Sequence, residues 1–204
     1  MVVIALVGWV GYVAVAFVLR SWLQIRSTGS SGFVGLRRGA SWIERGAGAA
    51  MVAAFGIALV APLVGQPLAD TSLLGVILLA LATMATFAAQ VAMRASWRIG
   101  VDPSERTELV TSGPFAWVRN PIFTAMIAAS VGLALACPTP LALVAPPLLC
   151  AALEIQVRVV EEPYLVHAHG AAYLDYATRV GRFVPGVGRL RAGAEPGSTT
   201  ARTS

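Results

Sequence analysis

Lysine is absent from this 204-residue chain; all 15 basic residues are arginine. Charge of either sign is scarce. Charged residues make up 12% of the sequence and hydrophobic ones 57%, where a soluble domain carries about 25% charge. That excludes an ordinary soluble enzyme and a disordered chain. Cysteine is nearly absent too. Cys137 and Cys150 sit alone in apolar sequence, which excludes a disulfide framework and a zinc centre. Histidine is limited to His167 and His169; the pair has no third ligand nearby, so no metal is expected. No Gly-x-Gly-x-x-Gly run follows a strand, which excludes a soluble dinucleotide-type fold. No basic cluster alternates with aromatics, so no nucleic acid is expected as a partner. No internal repeat is visible, which argues against an inverted-repeat transporter.

What the chain has is apolar length. Met1–Leu19, Ala47–Val64, Leu73–Met93, Pro121–Ala136 and Leu141–Val160 are runs of about the length that crosses a bilayer. The first lacks a positive start and a small-residue cleavage site, so it is read as a retained helix that Arg20 ends. Pro146-Pro147 should kink the fifth run or delay its start. Lipid leaves no water for unpaired backbone groups, so the expected fold class is all-α, an integral membrane helical bundle of about five transmembrane helices. The arginines set its orientation. Five fall in Arg20–Arg45, four in Arg94–Arg119 and six in Arg158–Arg202, and the other two links hold none. Positive loops stay in the cytosol. The expectation is therefore an N-terminus outside, a C-terminus in the cytosol and a multi-pass protein of the cell membrane. Residues 1–185 are expected to form one membrane domain whose functional half is 94–185, with 186–204 a loose Gly/Ala/Ser/Thr tail, including the tract from Gly186. Ser27–Gly32 is a turn-rich stretch. Abundant Ala, Gly and Val with arginine in place of lysine fits a GC-rich bacterial genome.

Polar residues gather in two stretches, Thr107–Phe123 and Glu154–Pro185. A helical hairpin joins them, so they can meet at one membrane surface. Glu154, Arg158, Glu161 and Glu162, spaced i, i+4, i+7 and i+8, are expected along one helical stripe. Ionisable groups at a membrane edge usually face a cavity or a partner; the ordinary alternative is an i,i+4 salt-bridge ladder at the interface. In the first stretch, Ser112-Gly113-Pro114 makes a turn, and Pro121 suits the first position of a helix. Backbone N–H groups at such a start attract anionic or acceptor groups. Phe115, Trp117 and Phe123 supply aromatic faces, or only an interfacial belt. Tyr173, Tyr176 and Val180 should pack a final helix on the surface, with Arg179 and Arg182 pointing to lipid phosphates or to a bound ligand.

These pieces carry a resemblance. Leu109–Phe123 reads LVTSGPFAWVRNPIF, and Glu161-Glu162, Leu165, Gly170, Tyr173, Tyr176, Arg179 and Pro185 follow in order. The combination resembles the isoprenylcysteine carboxyl methyltransferase family and its bacterial relatives, and parts of it are shared with phospholipid N-methyltransferases. The resemblance implies a membrane methyltransferase that uses S-adenosylmethionine. It implies that Glu108, Leu109, Val110, Phe115, Asn120, Pro121, Phe123 and Glu161 hold the cofactor. It gives Arg158 a link to substrate. Asn120 stands where the family usually has His, and Phe115 and Phe123 where it has Tyr. Asn keeps a donor and an acceptor but cannot titrate, and Phe keeps the ring without the hydroxyl. These departures bear on the substrate class more than on the cofactor.

The implied reaction is a methyl transfer to a lipophilic acceptor that enters sideways from membrane lipid, with the site facing the cytosol. Carboxyl O-methylation is the family-like expectation, because a carboxylate needs only an orienting Arg. A lipid amine or a small thiol is the alternative; it must lose a proton, for which Glu162 or His169 are the candidates. A non-catalytic partner protein that kept the fold, or a small transporter, are the rivals from other classes.

Overall fold

The computed structural model describes residues 2–31, 40–94, 97 and 108–190. Gly32, Arg37, Arg38, Arg98, Arg106 and Thr107 lie outside the described residues, as does the tail from 191 onward.

Among the described residues, four helices are long and apolar enough to cross a membrane: α1 (Val2–Thr28), α2 (Trp42–Leu63), α3 (Ser72–Ala92) and α5 (Ala142–His169). Between the last two lies the shorter apolar α4 (Pro121–Ala136). A surface helix, α6 (Ala171–Arg179), closes the order. The bundle is the all-helical membrane fold that the composition demands. Many of its large exposed side chains are apolar and fit a lipid-facing surface, among them Val3, Val7, Val52, Leu73, Met84 and Leu81.

Local chemistry sets the helix ends. Ser41 begins α2, its hydroxyl accepting from the Glu44 N–H at 3.2 Å in a Ser-x-x-Glu cap. Gly29 ends α1 in the left-handed region, at φ 77°. Pro121 takes the first position of α4. Pro146 and Pro147 stand at the start of the regular part of α5, which a short 3₁₀ turn at Ala142–Val144 precedes. They delay the helix and do not kink it, because the first turn has no backbone bond for proline to break.

Two helices outrun their expected ends. α1 does not stop at Arg20. Arg20 is buried, donates from Nη2 to Arg94 O at 2.7 Å and lies 4.6 Å over the Trp97 ring. With the charge partnered, the helix continues two turns further. α5 runs on to His169, past the expected end at Val160, and a π turn at Val157–Glu161 interrupts it.

α3 and α4 make the most extensive contact, and α2 with α5 the next. Small residues let the first pair approach, as in membrane bundles generally. A Cβ built on Gly132 would sit 2.6 Å from Leu79 N, and one on Gly75 would strike the Ala136 backbone. Gly75→Ala is therefore expected to cost about 1–3 kcal/mol by forcing these helices apart. A lowered unfolding midpoint in detergent checks it. Around this seam the core gathers Trp9, Tyr12, Leu79, Leu133, Leu149 and Leu153. Trp9 stacks on Tyr12 at 5.3 Å and tilts on Phe55 at 5.1 Å. At one end Thr71 Oγ1 donates to Leu135 O and Thr139 Oγ1 to Ala61 O, at 2.7 and 3.2 Å. At the other end α1, α3 and α5 finish and α4 begins. Both polar stretches of the sequence meet there.

Candidate active site

Residues 108–120 pass into α4 through a one-turn 3₁₀ helix, Gly113–Ala116. Gly113 opens it at φ 61°, a value that glycine adopts without strain. Arg119 then fixes this loop to the segment after α6. Its side chain is almost wholly buried. Nη1 donates to Ala177 O at 2.9 Å and Val180 O at 2.7 Å. Nη2 donates to Glu162 Oε1 at 2.6 Å and Gly188 O at 3.1 Å. The backbone follows the same path: Arg119 N–H donates to Gly181 O at 2.8 Å and Asn120 N–H to Arg182 O at 3.1 Å.

Glu162 is the hub of this network. Arg182 donates to it from Nε at 2.8 Å and from Nη2 at 3.0 Å, while Arg119 binds Oε1 from the other side. Hydrogen bonding to Glu162 raises the pKa of Arg182 above its ordinary value. Arg182 also reaches Glu154 at 3.1 Å, and Glu154 pairs with Arg158 at 2.5 Å. Hence Arg182 points into the protein, not to lipid phosphates. Arg179 stays outside, paired with Asp175 at 2.5 Å, both more than half exposed. Gly186–Leu190, at the start of the expected tail, are tied to the body. Gly188 O accepts from Arg119, and Leu190 N–H donates to Ala177 O at 2.9 Å.

The π turn divides the expected stripe. An extra residue in one turn shifts all that follows by about 100° of azimuth. Glu154 and Arg158 form an i,i+4 pair at the bundle surface, with Arg158 more than half exposed. Glu161 and Glu162 are brought round to a cavity instead.

That cavity, of about 240 Å³, lies at the motif end. Glu108, Leu109, Val110, Phe115, Asn120, Pro121, Phe123 and Glu161 all line it, and so does Glu162. Arg158 does not. The wall continues into the bundle through Ala16 and Phe17 of α1, Met51 of α2, Thr86 and Gln90 of α3, and Met126 of α4. Tyr173 and Tyr176 close it from α6. Tyr176 donates to Phe115 O at 2.6 Å, and burial pushes its phenol up to about 12, so it remains a donor. Asn120 Nδ2 donates to Arg182 O at 3.3 Å. Among the described residues, Glu161 has no hydrogen-bond or ion-pair partner, and Arg119 is the only basic residue of the wall. No group of three or more His, Cys, Asp or Glu that could hold a metal occurs among the described residues.

Arg182 and Gln90 escape a reading by motif, whereas Arg119, Tyr173 and Tyr176 fall among the motif pieces without their places in the cavity being given. Arg182 looks like an interfacial cation. Gln90 had a signal: Thr83, Thr86 and Gln90 fall on one face of an otherwise apolar run.

A sequence profile described as phospholipid methyltransferase matches residues 68–172. Comparison with curated proteins gives no significant match. Among solved structures the fold is similar to the eukaryotic intramembrane Ras methyltransferase, isoprenylcysteine carboxyl methyltransferase. The TM-score is 0.57 at 19% identity, over 89% of this chain and 67% of that one; at that identity the likeness is one of fold. The profile match spans half of the sequence, and the chain belongs to the phospholipid methyltransferase family.

Proposed function

We propose that the protein transfers a methyl group from S-adenosylmethionine to a lipophilic acceptor, and that residues 1–185 act as one unit in doing so. The observation that carries this reading is the cavity itself. All eight residues nominated for the cofactor line it together, along with mostly apolar side chains of α1, α2, α3 and α4. Such a site suits a polar cofactor beside a lipid.

The residues present fit that cofactor. The free carboxylate of Glu161 can pair with its ammonium, Phe115 and Phe123 can flank its adenine, and the start of α4 offers N–H groups to its carboxylate. When bound, it supplies an electrophilic methyl on a sulfonium, which passes to a nucleophile by in-line displacement. The chain positions the acceptor and excludes water. Glu162 is held by Arg119 on one oxygen and by Arg182 on both, so its work is to hold the loop, not to take a proton.

Charge favours an amine acceptor over a carboxylate. The described wall offers Glu108, Glu161 and Glu162 against Arg119 alone, and Arg119 is already bonded to Glu162 and three carbonyls. Arg158, the residue suited to orienting a carboxylate, lies outside the wall. A low dielectric disfavours the charged form, so the amine head enters neutral, having left its proton with bulk water; its nitrogen is the nucleophile, and the cation that forms as it takes the methyl is what the acidic wall stabilises. The arginine bias further supports a cytosolic site in the cell membrane.

The test is methyl transfer from labelled S-adenosylmethionine by protein in nanodiscs. Label should enter lipids with primary-amine heads and not prenylated-cysteine carboxylates. Label in the carboxylate alone would reverse the acceptor assignment.

A further inference from the structure

Gln90 lines the cavity from α3, a helix that carries none of the residues nominated for the cofactor. In a regular α-helix the Arg20 N–H would bond Ala16 O. At the end of the π-helical stretch Ala14–Leu19 it goes to Phe17 O, three residues back, instead. Ala16 O accepts from Gln90 Nε2 at 2.8 Å, a contact between residues 74 apart in sequence. That bond fixes the amide, because a flipped amide would set two carbonyl oxygens face to face. Gln90 is 3% exposed and lines the cavity, and among the described residues its Oε1 has no hydrogen-bond partner. A buried acceptor without a partner is costly, most of all where lipid replaces water. Thr86, fully buried one turn deeper on α3, adds a hydroxyl beside it. The surrounding wall of Ala16, Phe17, Met51 and Met126 is apolar. The complementary ligand is an apolar body with a hydrogen-bond donor on its head.

We propose that Gln90 is a specificity-determining residue for the methyl acceptor, its Oε1 accepting a hydrogen bond from an N–H of a lipid amine head. This rests on the amine-lipid reading above. A carboxylate and a quaternary ammonium have no such donor, so both are disfavoured. Each methyl added removes one N–H, and the fully methylated product loses the contact and is released.

The test is equilibrium binding of two short-chain glycerophospholipids, one with a primary-amine head and one with its trimethylated counterpart. It uses the full protein in detergent, with and without S-adenosylhomocysteine. The wild type should hold the primary amine about tenfold tighter, the worth of one buried hydrogen bond. Gln90→Met keeps the volume and should erase that preference while leaving S-adenosylhomocysteine affinity within about twofold, since none of the residues nominated for the cofactor is changed. Gln90→Asn keeps an amide but withdraws it by one carbon, and should retain part of the preference. A thermal melt reports folding of each variant. The inference is overturned if the wild type has no preference, if folded Gln90→Met or Gln90→Asn keeps the full preference, or if Gln90→Met loses the cofactor product as well. Failure of the wild type to bind S-adenosylhomocysteine, with the lipid preference intact, strikes the methyltransferase reading and leaves the Gln90 contact standing.

Discussion

Arg119→Met is expected to be the most destabilising single change at the site, at about 3–5 kcal/mol. Methionine fills much of the same space, so the loss is one of bonding and not of packing. It strands the carbonyls of Val180 and Gly188, leaves Ala177 O with the Leu190 N–H alone, and leaves Glu162 with Arg182 alone. Removing one partner of a buried pair leaves a charge that burial cannot tolerate. Because those carbonyls hold the segment after α6 against the motif loop, the cavity should open as the protein loosens. Arg158→Ala is the control. Its pair with Glu154 is exposed, and exposed pairs are worth about 1 kcal/mol or less. Unfolding midpoints in one detergent compare the two variants. Equal midpoints would show that the buried network contributes no more than the surface pair.

Glu161→Ala is expected to weaken S-adenosylhomocysteine binding by about ten- to a hundredfold, the range of a charge-assisted bond of about 1.5–3 kcal/mol. Glu161 lines the cavity and, among the described residues, no basic side chain neutralises it. A ligand ammonium is the partner it lacks. Its neighbour Glu162 is already held by Arg119 and Arg182, so Glu162→Gln should act on folding more than on ligand affinity. Calorimetric titration together with a thermal melt separates the two effects. Glu161→Ala with unchanged affinity would remove Glu161 from the cofactor site.

The bundle was legible in the sequence because membrane helices announce themselves by length and lack of charge. Pro121–Ala136 could be bounded to the residue, since Pro121 and Pro138 punctuate both ends. α1 could not, because Arg20 reads as a stop. Only the fold brings Trp97 and Arg94 O to it. The motif residues around Leu109–Phe123 and Glu161 were legible as a group, and they line one cavity. The places of Arg158 and Arg182 were not legible. Periodicity of 3.6 put Arg158 beside Glu162, and one π turn moved the carboxylates past it. Nothing local marks such a turn. Arg182 stands 20 residues from Glu162, and its role exists only once α6 folds back. Gln90 is similar, since its partner on α1 lies 74 residues away.

The central claim is that the cavity at the motif end holds S-adenosylmethionine. Titrating S-adenosylhomocysteine into wild-type protein in lipid nanodiscs tests it most directly. The expected result is saturable one-to-one binding at roughly 1–100 µM, within the usual range for enzyme ligands, weakened in Glu161→Ala. A folded wild type that takes up neither S-adenosylhomocysteine nor S-adenosylmethionine at millimolar concentration would contradict the claim and leave a family fold serving a non-catalytic role.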